Sequence, residues 1–291
     1  MTDALNLPAG AVHVAGDTYY IPGLTNAGFI DGLCVDTGPE PEPYEGVAID
    51  RLAITHGHAD HFAAGWKLRE NGATVAAARD DASMVENPDI NIRGMFSWAK
   101  PGETLVSKLF LGVPCKVDEL IEDWRDHRAT PYALPGHTLG HTAFLTRDGV
   151  LFTGDALYEE ALWKRHPLPY AIDPDMVARS LERIRDIEFD WLVPGHGELT
   201  DRTQAMRDIE FHLAQIESIR ELLLAELSVP HTTEEAIALV SRRRGLSDNP
   251  AGYWLAVTTV KGYLGDMLGR GQLEFSVVDH AGVWTTAHPQ S

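Results

Sequence analysis

The chain has 291 residues, 44% of them hydrophobic, enough for one layered core and a small accessory unit. Its 24 Lys+Arg against 43 Asp+Glu give a formal charge of −19, a surface that repels phosphate backbones and disfavours nucleic acid as a partner. Cys34 and Cys115 sit in apolar runs as buried thiols, without a disulfide framework. No run approaches the roughly 18 apolar residues of a membrane span, and Met1 to Leu5 lacks the basic start and apolar stretch of a signal peptide. The expectation is a cytoplasmic protein acting on a small molecule.

From residue 10 to 60, short apolar runs alternate with Gly, Asp and Pro breaks, as sheet strands do. Asn26–Ile30 and Gly32–Val35 read as a strand pair entering the turn Asp36-Thr37-Gly38, and Pro39–Pro43 as a surface turn. Leu52–Thr55 is a further strand, and it runs into His56-Gly57-His58-Ala59-Asp60-His61. His56 and His58 are two apart, so on an extended strand end their rings leave the same face. Asp60 and His61 follow where the chain bends into a helix expected from Phe62. One short loop can thus serve two adjacent metal ions. Thr74–Ala77 is the next strand. Residues 84–116 then read as an insertion, with Met84, Met95, Phe96, Trp98, Leu109, Phe110 and Leu111 in no clean period. Its place between two ligand clusters suits an apolar lid or, equally, a contact within a homodimer.

Three later strands end alike. Pro135-Gly136-His137 follows an apolar run around Tyr132 to Leu134, Leu151–Gly154 ends in Asp155, and Trp191–Gly195 ends in His196. Glycine lets the backbone turn sharply and approach an ion closely. Strand ends gathered at one edge are the usual site in α/β proteins. Residues 174–187 have helical spacing behind Pro174. Past His196, residues 203–227 form a long amphipathic helix with Met206, Ile209, Leu213, Ile216, Ile219 and Leu223 on one face. Thr232–Glu235 caps a second helix to about Arg244, and a third spans about Gly252 to Leu268. Strands at Leu273–Val277 and Val283–Thr285 complete a winged-helix order. Arg242-Arg243-Arg244, the basic triplet, suits a helix C-terminus, the alternative being a grip on a phosphate or an acidic cofactor tail.

These motifs, in this order, resemble the metallo-β-lactamase superfamily over roughly residues 10 to 200. The resemblance implies an α/β fold, a four-layer αββα sandwich at 1–200 carrying the 84–116 insertion. Residues 201–291 then form a long helix and a winged-helix-like extension, similar to the tail of β-lactamase-like-2 hydrolases. It implies two divalent metal ions, one held by His56, His58 and His137 and one by Asp60, His61 and His196, with Asp155 bridging. His141 has no ligand role in that pattern and is expected as a buried, hydrogen-bonded histidine. Histidine and carboxylate donors without thiolate suit zinc, iron and manganese; the affinity order favours zinc.

The family chemistry implied is hydrolysis by a metal-held hydroxide that Asp60 orients, with Asp60 passing the proton to the leaving group. Tyr158 matches the acyl-homoserine lactonase pattern, where such a hydroxyl contacts the substrate carbonyl or leaving oxygen. His58 departs from flavodiiron proteins, which carry Glu there, and Asp155 from true metallo-β-lactamases, which lack that bridge. The span from Asp155 to His196 is too short for the domain that ribonuclease J-like enzymes insert. A small acyl substrate (thioester, lactone or ester) is the first expectation. A phosphodiesterase or ribonuclease is the second, and a mono-iron persulfide dioxygenase using His56, His137 and Asp155 the third.

Overall fold

The computed structural model describes residues 6–106 and 110–287. Met1 to Leu5 and, in the insertion, Leu109 lie outside the described residues. The first sheet runs in chain order through β1 (Val12–Ala15), β2 (Thr18–Ile21), β3 (Ala27–Ile30), β4 (Leu33–Val35), β5 (Arg51–Ala53), β6 (Thr74–Ala77) and β7 (Glu119–Leu120). Its first pairs are antiparallel, and from β4 onward it is parallel. The second sheet contains β8 (Ala129–Ala133), β9 (Thr142–Thr146), β10 (Val150–Gly154), β11 (Trp191–Pro194) and β12 (Thr200–Asp201), ordered β12-β11-β10-β9-β8.

The period of two decides the layers. In the first sheet Ile30, Leu33, Val35, Ala53 and Ala76 face inward and meet Phe144, Val150, Phe152 and Val193 of the second. Their chain neighbours Phe29, Cys34, Leu52, Val75 and Ala77 point the other way, into a cluster with Phe62, Leu68 and Val85 of the covering helices. Those helices are α1 (Ala59–Phe62), α2 (Gly65–Glu70) and α3 (Arg79–Glu86), followed by α4 (Asp89–Met95). On the far side, Ala143, Leu151 and Leu192 of the second sheet face α5 (Glu160–Arg165), α6 (Pro174–Asp186) and α7 (Arg202–Glu226). The result is helix, sheet, sheet, helix: the four-layer αββα arrangement.

The last elements are β13 (His231–Thr232), α8 (Thr233–Arg244), α9 (Pro250–Gly269), β14 (Leu273–Val278) and β15 (Ala281–Thr286), with the three strands ordered β13-β15-β14. Asp279 and His280 both have positive φ, 48° and 65°, as a tight hairpin turn requires. Ile237, Val240, Val260 and Met267 belong to the same apolar cluster as Leu151 and Leu181, so this part and the second sheet share one core.

Two details differ from the expected elements. The helix after the histidine loop begins at Ala59, not Phe62, so Asp60 and His61 lie on its first turn. On α7 the buried stripe runs Ala205, Ile209, His212, Ile216, Ile219 and Leu223, leaving Met206 and Leu213 half-buried. Arg220 shares that stripe because it pairs with buried Asp266 of α9, its Nε donating to Oδ2 at 2.9 Å. Both cysteines are buried and free, and among the described residues no helix is long and apolar enough to cross a membrane.

Candidate metal centre

All seven expected ligand-type side chains converge at one edge of the two sheets. His56 and His58 follow β5, Asp60 and His61 ride on α1, and His137, Asp155 and His196 leave the ends of β8, β10 and β11. Three overlapping groups have geometry that can hold a metal ion: His56, His58 and His137; His56, His61 and Asp155; and Asp60, His61 and His196. His58 Nδ1 lies 3.0 Å from His56 Nε2 and 2.8 Å from His137 Nε2. Asp155 sits between the outer groups. Its Oδ1 is 3.3 Å from His61 Nε2, and its Oδ2 is 3.5 Å from both His137 Nε2 and His196 Nε2. Asp60 Oδ2 is 3.2 Å from His196 Nε2.

The backing of four of the five rings decides which nitrogen faces inward. His137 Nδ1 donates to the Tyr170 carbonyl at 3.0 Å, and His196 Nδ1 to the Leu24 carbonyl at 2.7 Å. His61 Nδ1 donates to Asp36 Oδ2 at 2.8 Å. The Thr55 hydroxyl donates to Asp36 Oδ2, so its oxygen is left to accept from His56 Nδ1 at 3.1 Å. Acceptors at Nδ1 put the proton there and leave Nε2 as a lone pair. Four such lone pairs, with two carboxylates, point at one another across about the width of an ion.

Lone pairs facing lone pairs repel unless something positive sits among them. His61 Nε2 and Asp155 Oδ1 are buried and have no hydrogen-bond partner. Such orphaned atoms in a donor set of imidazoles and carboxylates fit a divalent cation. The carboxylates draw positive charge to this side, as a proton on His61 and His196 where no ion sits. Burial opposes a charge on His61, but Asp155, Asp60 and Asp36 outweigh it and hold its pKa well above the usual value. His196 is likewise raised to about 9, burial being overcome by Asp155 and Asp60. Burial and the neighbouring imidazoles push His56 and His137 down. The field thus favours positive charge beside the carboxylates and neutral rings beside His58.

Further residues hold this shell. Asp81 on α3 accepts from Gly57 N–H at 2.9 Å, the Thr138 hydroxyl at 2.6 Å and Gly140 N–H at 2.8 Å, joining the two histidine loops. His141 is fully buried and its Nε2 accepts from Asp155 N–H at 3.0 Å. The Thr25 hydroxyl donates to Asp60 Oδ2 at 2.9 Å. Tyr158 is buried, and its hydroxyl donates to Asp155 Oδ2 at 3.0 Å instead of reaching into open space. The ring of Tyr170 packs edge-on against His58 and His137 at 5.2 and 5.4 Å. Sequence reasoning missed Asp81, Tyr170 and Thr25. Asp81 carries no motif of its own, and the Tyr170 and Leu24 contributions are backbone carbonyls, which leave no trace in side-chain type.

A family model described as the metallo-beta-lactamase superfamily matches residues 22–196. Among curated proteins, a beta-lactamase-like protein 2 homolog of Drosophila melanogaster is 24% identical over 84% of this chain and 80% of its own length. A hydroxyacylglutathione hydrolase of Shewanella loihica is 30% identical over 62% of this chain and 57% of its own length. Among solved structures, a metallo-beta-lactamase family protein from Thermus thermophilus superposes with a TM-score of 0.69 at 21% identity, covering 93% of this chain and 98% of that one. A beta-lactamase domain protein from Burkholderia ambifaria gives 0.64 at 20% identity, covering 97% and 95%. Both likenesses speak to the fold.

Proposed function

The chain belongs to the metallo-β-lactamase superfamily, and from that premise we propose that it is a metal-dependent hydrolase of small acyl substrates (thioesters, lactones or esters). The observation that carries this reading is the pair of outer ligand groups with Asp155 between them. His56, His58 and His137 would hold one divalent ion, and Asp60, His61 and His196 a second. When bound, such ions would supply Lewis acidity towards the carbonyl and would acidify water, whose pKa falls on coordination from about 15.7 towards about 7. Zinc is favoured by the affinity order, and iron or manganese would accept the same donors.

The chain's own residues do the rest. Asp60, fixed by Thr25, orients the attacking water, takes its proton and hands it to the leaving oxygen or sulfur. Asp155 stays charged although burial opposes it, because His196, His61 and His137 surround it. His141 and Tyr158 hold it from behind, so Tyr158 acts on the reaction through Asp155 as a positioning residue. The likeness to a hydroxyacylglutathione hydrolase supports an acyl substrate.

A phosphodiesterase is the second reading. It draws on the last elements, α7, β13, α8, α9, β14 and β15, whose order supports a winged-helix-like unit. Against it stand the charge of −19 and the fate of the basic triplet. Arg243 pairs with Glu226, while Arg244 is spent on the Pro167 carbonyl and Gln215. The test is a turnover panel on metal-loaded and chelated protein: an acyl lactone, a thioester and bis-nitrophenyl phosphate. Chelator-sensitive turnover of the acyl compounds alone is expected. Turnover of the phosphodiester alone would overturn the reading, and a single iron per chain without hydrolysis would favour the dioxygenase.

A further inference from the structure

Beside the centre lies an open groove of about 440 Å³ between the insertion and the C-terminal helices. Met95 and Ser97, at the end of α4, form one wall, Thr258 and Lys261 of α9 the other, and Ile172 and Asp173 the floor. The floor is tied to the metal shell: the N–H groups of Ile172 and Asp173 donate to the Gly136 carbonyl, next to His137, at 2.9 and 3.2 Å. Tyr170, whose ring packs against His58, lies two residues before Ile172 in the same stretch of chain. The groove floor is thus continuous in the chain with the residue that packs on His58, and hydrogen-bonded to the one before His137.

Its charges are unequal. Asp173 is engaged as the cap of α6, accepting from the N–H groups of Asp175 and Met176. Asp266 is engaged by Arg220 and Arg270. Lys261 is exposed and has no ion-pair partner among the described residues, so it is the one uncommitted charge in the groove. On a chain with a net charge of −19 a free lysine in a cleft stands out. The rim adds a second sign of use. Ser97 and Trp98 are consecutive left-handed residues, φ 54° and 66°, and Trp98 is 67% exposed. Non-glycine residues hold that backbone only at a cost, which gathers where ligands are clamped.

We propose that this groove is a second substrate subsite, in which Lys261 receives a carboxylate carried on the substrate beyond the scissile acyl bond. The assignment rests on the acyl-hydrolase reading above. The volume suits a chain of several atoms past the carbonyl. A carboxylate fits better than a phosphate because Asp173 lines the same groove with no cation paired to it among the described residues, and a doubly charged group would meet its repulsion with only Lys261 to offset it.

The test uses metal-loaded protein, native and Lys261→Gln. Substrates are S-acetyl thioesters of short ω-mercaptoalkanoic acids, each paired with its primary amide of nearly the same shape. Released thiol reports turnover. The matching S-methyl thioethers, which cannot be hydrolysed, report binding through tryptophan fluorescence, since Trp254 stacks on Phe96 at 4.1 Å near the α4 wall. The native protein should prefer acid over amide by about tenfold in both readouts, as one charge-assisted contact gives. In Lys261→Gln the preference should fall to near one, and in the native protein it should shrink with salt. Equal handling of acid and amide, no binding of the acid, or a preference that survives the substitution overturns the subsite. A Lys261-dependent preference among thioethers, with no thioester turned over, instead sinks the hydrolase reading and leaves the subsite standing.

Discussion

At the scale of single residues, the candidate centre is ordered by anchors on the outer nitrogens of four of its five rings, those of His56, His61, His137 and His196. Losing a ligand should cost an ion: His58→Ala and His196→Ala are each expected to lower metal content by about one per chain and to abolish most turnover, read by elemental analysis and kinetics on the same samples. Outer partners act more weakly. Asp81→Asn keeps the shape but weakens three hydrogen bonds, and metal affinity should drop about 10–100-fold. His141→Ala orphans the Asp155 N–H, which should cost about 1–3 kcal/mol of stability with metal stoichiometry retained; a site emptied by that change would contradict the ligand assignment. His212, buried beside Tyr158 and Trp163, is pushed by burial from 6.5 down to about 3. The unfolded chain therefore takes up the proton first. Stability from this group is full above pH 6.5 and is lost as pH falls towards 3, by up to about 1.4 kcal/mol per pH unit. His212→Gln should flatten that slope in urea midpoints compared at pH 7 and pH 5, and parallel slopes would refute the argument.

Elements set where those residues stand. Each strand ends in a turn that leaves no room for a larger residue. A Cβ at Gly195 would run into Asp155 Oδ1 and reach within 2.7 Å of His61 Cε1. At Gly136, with φ 131°, it would strike the backbone of Val177. Gly195→Ala is thus expected to displace Asp155 and lower metal occupancy more than it lowers the melting temperature. By contrast, Thr232 caps α8 in a reciprocal box with Glu235, far from the chemistry. Thr232→Ala should cost about 1 kcal/mol and leave turnover intact. Strand ends, the α8 cap and the span of α6 were legible from local spacing. The start of α1 and the face of α7 were not. His212 and Arg220 look polar in sequence, but α7 buries them because Tyr158 and Asp266 supply neighbours that only the folded chain brings.

For the whole molecule, two sheets and two helical layers bring loops from four distant stretches to one edge. The −19 charge surrounds a centre that itself collects carboxylates, so bound cations should stabilise the fold. One ion at a hundred times its dissociation constant adds about 2.7 kcal/mol. Chelation should lower the melting temperature and readdition of metal restore it, and a melting temperature indifferent to both would argue against the centre. The sequence by itself determined the ligand types, their places at strand ends and the long terminal helices, while the sandwich was implied by the resemblance to the superfamily. The first three follow from local patterns: period two in the strands, glycine breaks, capping signals and the string from His56 to His61. Only the tertiary structure decided which nitrogen each histidine turns inward, that Asp81 joins two loops, that Tyr158 backs Asp155, and that Lys261 of α9 faces the end of α4 across a groove. Those depend on contacts between residues far apart in the chain, whose register no local pattern encodes.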